Sequence, residues 1–343
     1  MRTLTVVAGL LGFLAILTQA RCAENTGLPP KSNPSIAAPV KPAATATNPS
    51  MKESLARLKI PPAWLAGVTV DWDVAKPWKD GRLEVRRLLA LDDQDKVRQG
   101  VKITWLYARK GDIGDGHELP LYLFLSGNYD WALLEYPKYL QKVAGTGATH
   151  GYLCYASCFA HFGEYAKALE VLDKAMADLP KPPWRITSTA NIWNRRGDIH
   201  VEMGDTTKAK PCYAEAMRLY PTSDQPGGRH LLARQAAKVQ TKLDLLVLQS
   251  LRTARLRDGV YTGKSLGYSD AQDMLTTVTI KDGKIAHVQV RHQEKIDLGA
   301  TKIIPKRIVD TQSLKVDTVT GATITSQAIV DGVFQALKQA GLQ

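Results

Sequence analysis

Apolar positions along the chain change their spacing several times, and each spacing predicts a different element. An almost unbroken apolar run from Leu4 to Leu17 comes first. It falls short of the ~20 residues that a membrane-spanning helix needs. From Glu24 to Ser50 the patterning stops; Pro, Ala, Thr, Ser and Asn dominate and aromatics are absent. Such a stretch cannot bury enough apolar surface to offset the entropy of ordering, so 21–50 reads as a disordered linker. Helical spacing then prevails up to Arg257, ending in one long segment, LLARQAAKVQTKLDLLVLQSLRTA. Past Arg257 the period drops to two. MLTTVTI alternates around Leu275, Val278 and Ile280, and KIAHVQVRH carries Ile285, Ala286, Val288 and Val290. Asp282-Gly283 between these runs predicts a hairpin, because both turn positions need positive φ. At the end, Ile329, Val333 and Leu337 recur at i, i+4, i+8, with Val330 and Phe334 beside them, which predicts an amphipathic helix. Thr325 or Ser326 is the expected N-cap of that helix.

Within the helical stretch a repeat is visible. Gly163 and Gly204, Ala168 and Ala209, Ala175 and Ala216, and Pro180 and Pro221 are each 41 residues apart. A fainter upstream copy keeps Gly127 and Ala132 five residues apart, as Gly163 and Ala168 are. Small Ala156 and Gly197, with bulky Tyr152 and Trp193, complete a pattern that resembles the tetratricopeptide family. That family repeats every ~34 residues, so an insertion near KPPWRIT is expected. Each unit is then two antiparallel helices that cannot bury their apolar faces alone, and stacking supplies the core. The resemblance implies a surface for partner proteins. Residues 51–115, ahead of the repeats, hold four tryptophans (Trp64, Trp72, Trp78 and Trp105) and read as a packed accessory segment. The polar stretch RKGDIGDGHELP lacks the spacing of a calcium loop and reads as a turn.

Composition narrows the setting. Arg2, the apolar run and the small residues Thr18 and Ala20 form the pattern of a signal peptide over 1–20. The expected location is therefore extracytoplasmic, periplasmic or secreted. A formal net charge of +12 suggests an anionic partner, either an acidic protein or anionic lipid in a peripheral membrane association. Export and the lack of an arginine-rich or aromatic-basic run argue against nucleic acid. Cys22, Cys154, Cys158 and Cys212 show no CxxC, haem or zinc spacing. Cys154 and Cys158 read as small apolar core residues.

The chemistry concentrates near the C-terminus. Asp317-Thr318-Val319-Thr320-Gly321-Ala322-Thr323 precedes the final helix. Asp258-Gly259 with Tyr261, Gly267-Tyr268 and His292-Gln293-Glu294 lie upstream. Together these make 258–343 resemble the FMN-binding domain found in subunits of sodium-pumping NADH:quinone reductase and related electron-transport complexes. In that family an Asp, three spacer residues and Gly-Ala-Thr are read by a flavin transferase, which joins FMN phosphate to the threonine hydroxyl. The resemblance implies covalent FMN on Thr323, with Asp317, Thr320, Gly321, Ala322, Thr325, Ser326, His292, Glu294, Tyr261 and Tyr268 around the cofactor. Asp317 would serve recognition or hold a metal during transfer. Family members often continue His-x-Glu with Thr-Pro-Gly, whereas this chain has Lys295-Ile296-Asp297. The residues are also apt on their own terms. Gly321 and Ala322 let backbone approach a phosphate, and the helix behind them aims free N–H groups and a positive dipole end at it.

The expected architecture is thus multidomain. An all-α tetratricopeptide-like repeat domain (116–257) precedes a small α+β FMN-binding domain (258–343). The expected function is electron transfer by an exported flavoprotein that docks a redox partner through its helices. A secreted scaffold with a structural flavin fold, and a flavin-dependent reductase of small substrates, are the alternatives.

Overall fold

The computed structural model describes residues 49–89, 91, 93–227, 229–247, 256–267, 272–294, 299–316, 318–319 and 322–342. The signal peptide expected over 1–20, and the linker over 21–50 apart from Pro49 and Ser50, lie outside them. Among the described residues no helix is long and apolar enough to cross a membrane.

The helices run α1 (Met51–Arg57), α2 (Ala63–Gly67), α3 (Trp78–Leu89), α4 (Gln94–Lys110), α5 (Glu118–Leu125), α6 (Tyr129–Lys142), α7 (Thr149–His161), α8 (Tyr165–Ala177), α9 (Arg185–Glu202), α10 (Thr206–Leu219) and α11 (Arg229–Val247). The repeat read from residue spacing is a repeated hydrogen-bond motif. Gly127, Gly163 and Gly204 have φ of 78°, 74° and 79° at the ends of α5, α7 and α9. In each case the next residue's N–H reaches back five residues, from Asn128 to Leu123, Glu164 to Phe159 and Asp205 to His200. These bonds satisfy the last carbonyls of the helix and turn the chain into its antiparallel mate. Ala132, Ala168 and Ala209, five residues after each glycine, are fully buried where the paired helices touch. A β-carbon on Gly197 would stand 2.5 Å from the Tyr213 ring, so α9 and α10 approach as closely as a glycine allows. The excess over the family period falls in the loop 178–184 and in α9, which has 18 residues where α7 has 13.

The accessory segment shares its core with the repeats. One apolar cluster joins Leu65, Trp78 and Tyr107 to Trp131, Tyr136, Cys154 and Cys158. Trp78 meets Tyr107 at 5.0 Å between centroids, and Trp105 meets Trp131 at 5.2 Å. Cys154, Cys158 and Cys212 are buried free thiols. The polar stretch before α5 is a turn, in which His117 Nδ1 lies 2.6 Å from Asp115 and 3.1 Å from Glu118.

The C-terminal unit is an antiparallel meander of β1 (Gly259–Ser265), β2 (Met274–Lys281) and β3 (Lys284–Arg291), in the order β1-β2-β3. The expected hairpin turn is present, with φ of 53° at Asp282 and 68° at Gly283. The Asp258 carboxylate accepts from both turn N–H groups, at 3.0 and 2.9 Å, and these bonds hold it below the usual carboxylate range. On β2 the buried face is Met274, Thr276, Val278 and Ile280; Leu275, expected in that set, lies on the other face. A bulge at Ala286 separates the pairs Thr279–His287 and Ile280–Ile285. Helix α12 (Ala300–Thr311) lies against β3, with Ala300, Ile304 and Ile308 buried. Helix α13 (Thr323–Gln339) lies across β1 and β2 and forms the centre of the core with Ile329, Val333, Phe334 and Leu337. Lys338 of α13 pairs with Asp244 of α11 at 3.5 Å, and the Arg257 N–H donates to the Ala340 carbonyl. These contacts seat the helical layer on the C-terminal unit.

Candidate flavin site

The site is built where the C-terminal end of β1, the start of β2 and the residues after β3 meet the first turn of α13. Helix α13 begins at Thr323, as the motif requires, and its N-cap is Ala322, whose side chain makes no capping bond. Thr325 and Ser326, expected as N-caps, lie inside the first turn and do other work. Ser326 is fully buried. Its hydroxyl accepts from the Val319 N–H at 3.0 Å and donates to the Ala322 carbonyl at 2.9 Å. The Ala322 N–H in turn reaches the Val319 carbonyl at 3.0 Å. One side chain thus fixes both ends of the loop that carries Gly-Ala-Thr. Ser326→Ala strands a buried N–H, which costs about 1–3 kcal/mol. A urea melt is expected to show that loss, and an unchanged midpoint would remove the clamp from the account.

Thr325 is 1 % exposed and donates through Oγ1 to Glu294 Oε2 at 3.0 Å. The Glu294 N–H donates to His292 Nδ1 at 3.1 Å, so this His292 ring carries no proton on Nδ1. A β-carbon on Gly267 would stand 2.0 Å from Glu294 Oε1; the absent side chain is what admits the carboxylate. The fold therefore brings together Gly267, His292, Glu294, Thr325, Ser326 and Ala322, all expected around a flavin except Gly267, which was a landmark only.

Tyr261 is not brought there. Its hydroxyl is turned to the Arg257 and Asp258 carbonyls, at 3.1 and 3.3 Å, at the opposite end of β1. Tyr268, Asp317, Thr320 and Gly321 lie outside the described residues, and Thr323 is described by its backbone alone.

The residues present fit a phosphate-anchored group. The N-cap offers no side-chain oxygen of its own, which leaves the positive end of α13 to an external anion. Val319 and Ala322 ahead of it are held by Ser326.

Sequence reasoning missed one neighbouring feature. A cleft beside this turn is lined by Arg234, Gln235 and Lys238 of α11, by Leu266, and by Gln327, Ala328 and Asp331 of α13. The available signal was helical spacing, since 323, 327 and 331 share one face of α13.

Comparison with known proteins finds matches in both parts of the chain. Residues 267–338 match the FMN-binding domain family, and residues 190–223 match the tetratricopeptide repeat. The chain is 36% identical over 90 residues to an NADH:acrylate oxidoreductase of Vibrio harveyi, a stretch covering 25% of this chain and 9% of that protein. The chain joins a helical layer containing a tetratricopeptide repeat to an FMN-binding domain.

Proposed function

We propose that this chain is an exported electron-transfer flavoprotein that carries FMN as a phosphoester on Thr323 and docks a redox partner through its helical layer. The observation that carries the reading is the FMN-binding family match over 267–338, which contains Gly321-Ala322-Thr323 at the start of α13. FMN, when bound, supplies one- and two-electron chemistry, while the protein sets its position, exposure and potential. The Ser326 clamp presents residue 323 on a pinned loop. The α13 dipole offsets the negative charge that a phosphodiester keeps. The Glu294–Thr325 bond ties the segment after β3 to the same turn, which fixes the approach to the site. Export, read from residues 1–20, favours a covalent link, because a dissociated cofactor would be lost outside the cell. Tetratricopeptide units present surfaces for proteins in general, and a chain with a net charge of +12 favours an acidic partner.

Co-expression with a flavin transferase is expected to give a denatured band with in-gel flavin fluorescence and a mass increase of FMN less water. Thr323→Val is expected to abolish both. A variant that keeps the fluorescent band places the attachment elsewhere. Direct reduction of a small substrate is the second reading, raised by the name of the Vibrio harveyi relative. Steady turnover of a small acceptor by the purified flavoprotein, with no partner protein added, distinguishes it.

A further inference from the structure

The cleft between α11 and α13 joins the two parts of the molecule, and its chemistry is unusual for a structural interface. Lys242 and Lys238 stand one turn apart on α11. Lys242 is matched: its ammonium lies 2.6 Å from Asp198 and 2.8 Å from Asn194. Lys238 is half-buried, and among the described residues no carboxylate lies within 4.0 Å of it. Burial, and then the charge of Lys242, pull its pKa down to about 8. Across the cleft Asp331 is 9 % exposed, and its Oδ1 is buried without a hydrogen-bond partner. Burying unmatched polar groups costs free energy, and such groups facing a cleft are candidates for a functional role. The cleft's own volume, about 10 Å³, holds no more than a water, so a larger group would have to lie across its mouth and not within it. Leu266 forms an apolar edge there, 41 % exposed and next to Gly267 of the flavin site. Residues 323, 327 and 331 share the α13 face that fronts α11, and residue 323 stands one turn, ~6 Å of helix rise, beyond Gln327.

We propose that α11 forms one wall of the flavin site, with Lys238 the cation that biases the cofactor toward its reduced form. This rests on attachment at Thr323. Oxidised FMN that accepts two electrons and one proton carries one more negative charge on its ring; the partner protein supplies the electrons and solvent the proton. A nearby ammonium favours that product, and Leu266 offers the ring an apolar contact. The helical layer then takes part in setting the potential as well as in docking.

The test uses full-length flavinylated protein and reads the midpoint potential by spectroelectrochemistry at pH 7. Lys238→Met is expected to lower the ratio of reduced to oxidised flavin about tenfold at the wild-type midpoint, a shift of about 30 mV for a two-electron couple. Lys238→Arg is expected to stay near wild type, as is Lys52→Gln, which removes an exposed charge on α1. Intact mass is measured first. A wild type without the adduct refutes attachment and this proposal together. With the adduct present, an unmoved potential in Lys238→Met, or an equal shift in Lys52→Gln, refutes the cleft alone.

Discussion

Gly263→Ala is expected to unfold the C-terminal unit while leaving the helical layer standing. A β-carbon at residue 263 would lie 1.9 Å from the Gly332 carbonyl oxygen and 2.8 Å from the Ala336 N. Both are backbone atoms of α13, so no side chain can swing aside. Gly332 of α13 is equally close to the sheet, where a β-carbon would stand 2.4 Å from the side-chain Oγ1 of Thr276 on β2. Helix and sheet meet glycine to backbone, and this intimacy lets Ile329, Val333 and Leu337 reach the sheet with no residual exposure. Relieving the clash means lifting α13 by an ångström or more over most of its length. Overpacking that side chains can absorb costs about 1–3 kcal/mol, and a rigid backbone clash belongs above that range, at about 4 kcal/mol. Every tryptophan of the chain lies between Trp64 and Trp193, so tryptophan fluorescence reports the helical layer alone. The variant's urea curve is expected to split. Far-UV circular dichroism should show an early transition that tryptophan emission does not share, a departure from two-state behaviour. Superimposable transitions at the wild-type midpoint would refute the close helix–sheet contact at Gly263.

That contact also shows what a sequence can and cannot reveal. Patterns confined to one segment were legible. The Asp282-Gly283 turn depends on two adjacent residues, the α13 stripe on one helix, and the repeat on glycines whose φ each local motif demands. Patterns that depend on a distant segment were not. Helix α12 escaped notice because Pro305 sits in its middle, where proline removes a backbone donor. It folds because Ala300, Ile304 and Ile308 find β3. Thr325 and Ser326 read as caps because hydroxyls near a helix start usually cap it. Tertiary partners claimed them instead: Glu294 from 31 residues away, and the Val319 N–H across the loop. Tyr261 reads either as a neighbour of the flavin or as a core residue; its ring packs against the C-terminal core and its hydroxyl turns to the chain just before β1. The division at residue 115 followed the onset of the repeat pattern, whereas the apolar cluster runs across it from Leu65 to Cys158. The cleft lined by Lys238 and Asp331 unites residues about ninety positions apart, and no local rule connects them.

Asp331→Asn is expected to stabilise the protein at pH 7 and to flatten its response to acid. Burial is the largest influence on this carboxyl and raises its pKa from 3.8 to about 6; bonds to Thr241 and Gln327 and the charges of Lys238 and Lys242 act the other way without cancelling it. The folded state therefore holds the Asp331 proton more tightly than the unfolded chain does. Linkage fixes the sign: where the folded state binds more protons, stability falls as pH rises. The contribution is complete below about pH 4 and is lost as pH rises through about 6. A shift of about two pKa units corresponds to about 3 kcal/mol, forfeited by the ionised group at neutral pH. Lys238, with its pKa near 8, titrates above this window and adds little to the slope within it. Asparagine keeps the shape and the hydrogen-bonding oxygen but carries no charge to bury. Urea melts at pH 7 are expected to show a gain of about 2 kcal/mol, the remainder being offset by the cost of burying the amide. At pH 4.5, where wild-type Asp331 is mostly protonated, the two proteins should converge. If the variant is instead weaker at pH 7, the carboxylate is stabilised across the cleft by Lys238. The two groups would then form an ion pair in solution, and the cation assigned to the flavin would already be spent on Asp331.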